Sequence, residues 1–131
     1  MNWEKLKSLR YIEEEIQALE EDIEEAKQDY MKTIRYTHAG GGTNIPSNLP
    51  ETYVLRIADL DQRLKEKINE KYKLKKEIYD FLGGIEDPEE KNILLLRFVK
   101  GKTLREIGYK LHMDHSTVCR KLLDYEQKYL N

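Results

Sequence analysis

Small polar and basic side chains follow one another from Asp114 to Lys121, in the sequence DHSTVCRK. The hydroxyl and imidazole groups can donate and accept hydrogen bonds, and a guanidinium can donate two parallel bonds. Such groups read base edges when the start of a helix enters the major groove of DNA. We therefore predict base contacts from five residues: His115, Ser116, Thr117, Cys119 and Arg120.

Basic residues are concentrated in the same part of the chain. From Arg97 to Lys121 there are seven cations, against two acids, Glu106 and Asp114. Cations that neutralise DNA phosphates release counterions, which supplies most of the nonspecific affinity. We predict phosphate contacts from Lys100, Lys102, Arg105 and Lys121, with a solvated helix surface as the alternative.

Two short helices joined by a tight turn are predicted to position these side chains. Thr103 and Glu106 have the spacing of a capping box, which marks the start of the first helix. Gly108 lies at the centre of its apolar face and lets a second helix cross closely. The second helix begins after Asp114, extends over residues 114–130 and presents its polar side to solvent.

The pattern of apolar residue, Gly, apolar residue, turn and S-T-V-x-R resembles the helix-turn-helix of sigma-factor region 4, over residues 88–130. The whole chain resembles the small prophage late transcriptional regulators of the ArpU and RinA type. That resemblance implies an activator of phage or prophage late genes. His112 departs from the pattern, since Gly is common at that turn position, so we expect a positive φ there. Lys121 also departs, standing where an apolar residue is usual.

A support helix is predicted in front of this motif. Asp87 and Pro88 have the types expected at an N-cap and a first helical position, and Gly101 closes the helix. Gly83 and Gly84 come before it and suggest a hinge. The predicted small core of this second domain, residues 85–131, comprises Ile93, Leu94, Phe98, Leu104, Ile107, Leu111, Met113, Val118 and Leu122.

The N-terminal part, residues 1–84, has the pattern of two long helices. Apolar residues from Leu9 to Tyr30 recur at alternating spacings of three and four, which predicts a coiled-coil helix over residues 3–36. A second such pattern runs from about residue 50 to 82. The Gly- and Pro-containing segment 37–50 separates them. The predicted fold is all-α: a long antiparallel helical hairpin followed by a small three-helix helix-turn-helix domain.

Charge supports pairing between the two long helices. Residues 13–25 contain eight acids and no base, whereas residues 62–74 contain five cations. Complementary flanking charges select partner and orientation in coiled coils, so we expect these windows to face each other in a hairpin. An antiparallel dimer would satisfy the same charges. The acidic run could also dock a basic surface of RNA polymerase, although a solvated face is the plainer interpretation.

Composition limits the function classes further. Cys119 is the only cysteine, which favours a reducing, cytoplasmic setting, and no apolar segment is long enough for a membrane. His38, His112 and His115 lack the spacing of a metal site, and Gly40 to Gly42 lack the Lys-Ser/Thr of a P-loop. We expect no enzyme activity, no metal and no cofactor.

The sequence thus predicts a DNA-binding transcriptional regulator that binds double-stranded DNA. Its coiled coil would serve oligomerisation, with a dimer favoured, or contact with RNA polymerase. Two alternatives remain open. One is a DNA-packaging assembly protein similar to small terminase subunits, and the other is a protein-interaction module that docks on RNA polymerase without touching bases.

Overall fold

The computed structural model describes residues 1–39 and 49–129, and in these ranges the protein is all-helical. The predicted all-α class is therefore confirmed. The elements in chain order are α1 (Trp3–Ala39), α2 (Leu49–Gly83), α3 (Pro88–Leu94), a π-helical segment (Leu95–Val99), α4 (Leu104–Leu111) and α5 (His115–Tyr129). Residues 40–48, the middle of the predicted Gly-rich loop 37–50, lie outside the described residues.

The chain divides into two compact units. The smaller unit is Glu14–Asn69, and the larger unit combines Met1–Glu13 with Glu70–Asn131. This division crosses both long helices instead of falling at the predicted domain boundary between residues 84 and 85. The predicted boundary separates two parts that would fold independently, and their independent folding stays a prediction.

In the smaller unit, α1 and α2 pack through the predicted apolar seam. Ile16, Ile23 and Ala26 of α1 are buried. The ring centroids of Tyr30 and Tyr53 lie 6.1 Å apart, and Lys67 Nζ lies 2.8 Å from Glu15 Oε2. The contacting residues run in opposite order along the two helices.

The two charged windows supply ion pairs between the long helices, as predicted: Glu15 pairs with Lys67, and Glu13 pairs with Lys71. Facing windows 13–25 and 62–74 would place residue 15 opposite residue 72 and residue 13 opposite residue 74. The observed pairs are offset from this alignment by three to five residues, or about one helical turn.

The larger unit has one continuous core to which both long helices contribute. Five of the nine predicted core residues are buried, and Phe98, Leu104, Leu111 and Met113 pack partly against them. Leu82 and Ile85, on either side of Gly83 and Gly84, are 2% and 6% exposed. The two glycines are themselves exposed and are flanked on both sides by buried core residues, and the expected hinge stays a prediction. The other buried members are Leu6, Leu9, Leu74, Ile78, Leu96, Val99 and Tyr125.

The support helix starts at Pro88 and is closed by Gly101, as predicted, but its second half is π-helical. The Asp87 carboxylate accepts a hydrogen bond from the Glu89 N–H at 3.0 Å, and Pro88 is the first helical residue. The helix then widens into the π-helical segment, where the Lys100 N–H donates to the Leu95 carbonyl at 3.0 Å. Gly101 ends it with φ +67°, a conformation that glycine adopts without strain.

Candidate nucleic-acid interface

The first helix of the candidate interface, α4, is fixed by its cap and by its buried face. The Thr103 hydroxyl accepts a hydrogen bond from the Glu106 N–H at 3.1 Å, which is one of the two bonds of a capping box. Ile107 is fully buried, and Leu104 and Leu111 pack beside it. The opposite side of α4 is solvent-exposed, and Tyr109 on that side is 88% exposed.

The turn after α4 depends on close backbone contact at Gly108. A Cβ at this position would lie 2.5 Å from the Met113 carbonyl oxygen, closer than a real side chain allows. The Met113 N–H donates to the Gly108 carbonyl at 2.9 Å. His112 has φ 56° and ψ 45°, so the predicted positive φ is confirmed. Glycine at 108 and left-handed backbone at 112 together allow α5 to cross α4 closely.

Asp114 organises the start of α5 through its side chain. Its carboxylate accepts a hydrogen bond from the Ser116 hydroxyl at 2.7 Å, and His115 Nδ1 lies 3.2 Å from its other oxygen. These contacts, the Ser116 bond first, lower the pKa of Asp114 below its ordinary value. Because the Ser116 proton is directed to Asp114, the hydroxyl oxygen is left as a hydrogen-bond acceptor.

The predicted base-reading residues lie on the solvent side of α5. His115, Ser116, Cys119 and Arg120 are exposed and Thr117 is half-buried, whereas Val118 and Leu122 on the other side are buried. Leu123 is 55% exposed and was not predicted as part of this face. Its spacing, three residues after Arg120 and four after Cys119, is the signal that could have identified it.

The four predicted phosphate contacts are not equivalent. Lys100, Lys102 and Arg105 are exposed near the start of α4, with Lys102 Nζ 3.8 Å from Glu106 Oε2. Lys121 instead forms an ion pair with Glu89 of α3 and is half-buried. Lys100 and Arg105 are thus exposed without an ion-pair partner in the described residues, whereas Lys102 pairs with Glu106 and Lys121 is held by Glu89.

Glu89 and Glu90, the acids in the first turn of α3, form a clamp that was not predicted from the sequence. Glu90 is 9% exposed; its carboxylate accepts hydrogen bonds from Lys128 Nζ at 3.2 Å and from the Tyr129 hydroxyl. Burial, reinforced by the negative charges of Glu89 and Glu90, raises the pKa of Tyr125 to about 12. The clamp fixes the middle and end of α5 against α3.

In the described ranges, no cluster of three or more His, Cys, Asp or Glu side chains could hold a metal ion. No helix in those ranges has both the length and the apolar character needed to cross a membrane. Cys119 is exposed and unpaired.

A scan against protein-family models, a search of curated proteins and a search of solved structures give no match to this chain.

Proposed function

We propose that the protein is a sequence-specific transcriptional regulator that binds double-stranded DNA through a helix-turn-helix formed by α4 and α5. In this proposal the two long helices form an antiparallel hairpin that precedes the DNA-binding domain. The observation that carries the proposal is the close crossing at Gly108, which leaves the polar side of α5 exposed beside exposed cations. The resemblance to sigma-factor region 4 and to prophage late regulators supports it.

Each residue of the exposed side has a role that follows from its chemistry. Arg120, which is exposed and has no ion-pair partner in the described part of the chain, would donate two hydrogen bonds to a guanine. Ser116 would accept a hydrogen bond from the amino group of adenine or cytosine, because its own proton is directed to Asp114. Thr117, Cys119 and His115 would complete the contact with base edges.

The surrounding cations would hold the phosphates. Lys100 and Arg105 lie on the loop before α4 and on its first turn, where they are exposed and have no ion-pair partner in the described residues. Lys102, on the same loop, would leave only an exposed pair with Glu106 at 3.8 Å. Lys121 would have to exchange its Glu89 partner for a phosphate. We therefore expect the three exposed cations to contribute more to affinity than Lys121 does.

Fluorescence anisotropy of a labelled mixed-sequence duplex, titrated at several salt concentrations, tests this proposal. Wild-type affinity should fall steeply with salt, because bound phosphates release counterions. Arg105→Ala should weaken binding and lower the slope of log affinity against log salt concentration by about one counterion, because it removes a phosphate contact. Arg120→Ala should weaken binding with a smaller change in that slope, because it removes a base contact. Lys65→Ala, which removes an exposed cation from α2, is the matched control and should bind like the wild type.

Two results would contradict the proposal. One is absence of salt-dependent binding by the folded wild-type protein. The other is an equal loss of affinity in the Lys65→Ala control and in the Arg120→Ala and Arg105→Ala variants. Equal losses would mean that affinity depends on the total charge of the protein and not on where the removed cation lies.

A protein-docking role is the second candidate, and the exposure of Tyr109 favours it. A tyrosine that is 88% exposed on the outer side of α4 is available to a partner such as RNA polymerase. Under this alternative, Tyr109→Ala would reduce polymerase binding, and Arg120→Ala would leave DNA affinity unchanged.

A further inference from the structure

The side chain of Asp114 contacts both of the residues that follow it. One carboxylate oxygen accepts a hydrogen bond from the Ser116 hydroxyl at 2.7 Å, and the other oxygen lies 3.2 Å from His115 Nδ1. The Ser116 bond is the largest of the effects that lower the pKa of Asp114, so the carboxylate is ionised at neutral pH. Because an ionised carboxylate can only accept hydrogen bonds, the hydroxyl must be the donor.

This bond decides what the Ser116 hydroxyl can do at a base edge. A free serine hydroxyl rotates, and it can either donate to a base or accept from one. A hydroxyl whose proton is directed to a carboxylate can still accept but can no longer donate. In the major groove, adenine and cytosine present an amino group that donates, whereas the polar atoms of guanine and thymine are acceptors. Ser116 held in this way therefore favours adenine or cytosine on the strand that it faces.

Arg120 lies at a defined spacing from this acceptor. It follows Ser116 by four residues, and both side chains are exposed on the same side of α5. Four residues of helix rise by about 6 Å, and successive base pairs are about 3.4 Å apart. The acceptor on Ser116 and the guanidinium of Arg120 are thus about two base pairs apart.

We propose that Asp114 determines sequence specificity by holding Ser116 as a hydrogen-bond acceptor. The protein then selects sites with adenine or cytosine at the base that Ser116 contacts, about two base pairs from a guanine contacted by Arg120. This inference rests on the proposed function and deepens it, since it gives a role to a residue that itself touches no base. Asp114 is a positioning residue that acts through Ser116.

Selection of bound duplexes from a random-sequence pool by the full chain, followed by sequencing, tests this inference. The wild type should enrich sites with adenine or cytosine at one position near a guanine, and guanine or thymine there should weaken binding about fivefold or more. Ser116→Ala identifies that position, because it should remove this preference and keep the guanine. Asp114→Ala should remove the preference at the same position, because the freed hydroxyl can also donate.

The base preference separates positioning from a structural role. Loss of a merely structural contact would weaken binding to all sequences alike and leave the enriched sites unchanged. The matched control is Asp124→Ala, which removes the same charge from an exposed position further along α5 and should enrich the wild-type sites. Circular dichroism of each variant verifies that the helices remain folded.

The outcomes distinguish this inference from the proposed function. A folded wild type that enriches no sequence would contradict the proposed function, and this inference with it. Enriched sites that Asp114→Ala leaves unchanged would overturn the inference alone. A wild type that prefers guanine or thymine at the position identified by Ser116→Ala would also overturn it, and this result needs no variant of Asp114.

Discussion

Gly108 and Met113 approach so closely that a methyl group on Gly108 would lie 2.5 Å from the Met113 carbonyl oxygen. Gly108→Ala must therefore displace the backbone of the turn between α4 and α5. We expect the free energy of unfolding to fall by about 1–3 kcal/mol, the usual cost of overpacking. Urea denaturation followed by circular dichroism measures it. The matched control is Gly83→Ala, because a Cβ there would meet nothing within 4 Å.

In the same turn, replacing His112 with glycine should have the opposite effect on the free energy of unfolding. His112 adopts a left-handed conformation with φ 56°, which costs a residue with a Cβ about 1 kcal/mol and glycine little. His112→Gly should therefore raise the free energy of unfolding by up to about 1 kcal/mol. His112→Val, with a β-branched side chain, should lower it. A His112→Gly variant less stable than the wild type in urea would show that the imidazole contributes more than the backbone strain costs.

These two positions were predictable because each obeys a local rule. A glycine on an apolar helix face and a non-glycine at a turn that needs positive φ are both visible in the sequence. The burial of Val118, Leu122 and Ile107 likewise followed from spacing. The register of the long helices followed only to within about one helical turn, because charge windows do not measure how the seam residues pack.

The ion pair between Lys121 and Glu89 leads to a prediction about DNA affinity, conditional on the proposed function. Glu89→Gln would release Lys121 to a phosphate. Affinity for a duplex should rise a few-fold. The slope of log affinity against log salt concentration should become steeper by about one released counterion. Anisotropy titrations at several salt concentrations provide both quantities.

Glu86→Gln is the control for this prediction, because Glu86 is exposed and three residues from Glu89. It removes the same charge without releasing Lys121. The effect of Glu89→Gln should also disappear when Lys121 is alanine. Equal gains from Glu86→Gln and Glu89→Gln would indicate a general electrostatic effect and not the release of one lysine.

Tyr125 predicts a dependence of stability on alkaline pH. Its pKa is raised from 10.0 to about 12 by burial and by the neighbouring glutamates. The folded state thus holds the tyrosine proton more tightly than the unfolded state does. The stabilisation is complete below pH 10 and is lost as the pH rises toward 12.

Ultraviolet absorbance of tyrosinate in the wild type and in Tyr125→Phe measures this shift, because their difference isolates one of the nine tyrosines. The difference should titrate near pH 12 in the folded protein. Titration of Tyr125 near pH 10, while circular dichroism still shows a folded chain, would contradict the burial and charge argument.

The contacts of the clamp formed by Glu89 and Glu90, which lies beside Tyr125, could not be predicted from the sequence. Glu89 and Glu90 have the residue type of a first helical turn, and that role explains them fully at the sequence level. Their contacts with Lys121, Lys128 and Tyr129 join residues more than thirty positions apart. Local periodicity carries no information on such pairs, so Lys121 was assigned to DNA phosphates without its intramolecular partner.

The central claim, that the exposed side of α5 faces the major groove, can be tested through Cys119. This residue is the only cysteine of the chain and is exposed on that side. A duplex with a mixed-disulfide tether on a base amino group in the major groove should couple to Cys119 in high yield, because the Cys119 thiolate attacks the tether disulfide and releases its small thiol. A tether in the minor groove should give little product. The control protein, Cys119→Ser with Lys65→Cys, should react weakly with both duplexes. Equal yields from the two grooves, or from the two proteins, would contradict the claim.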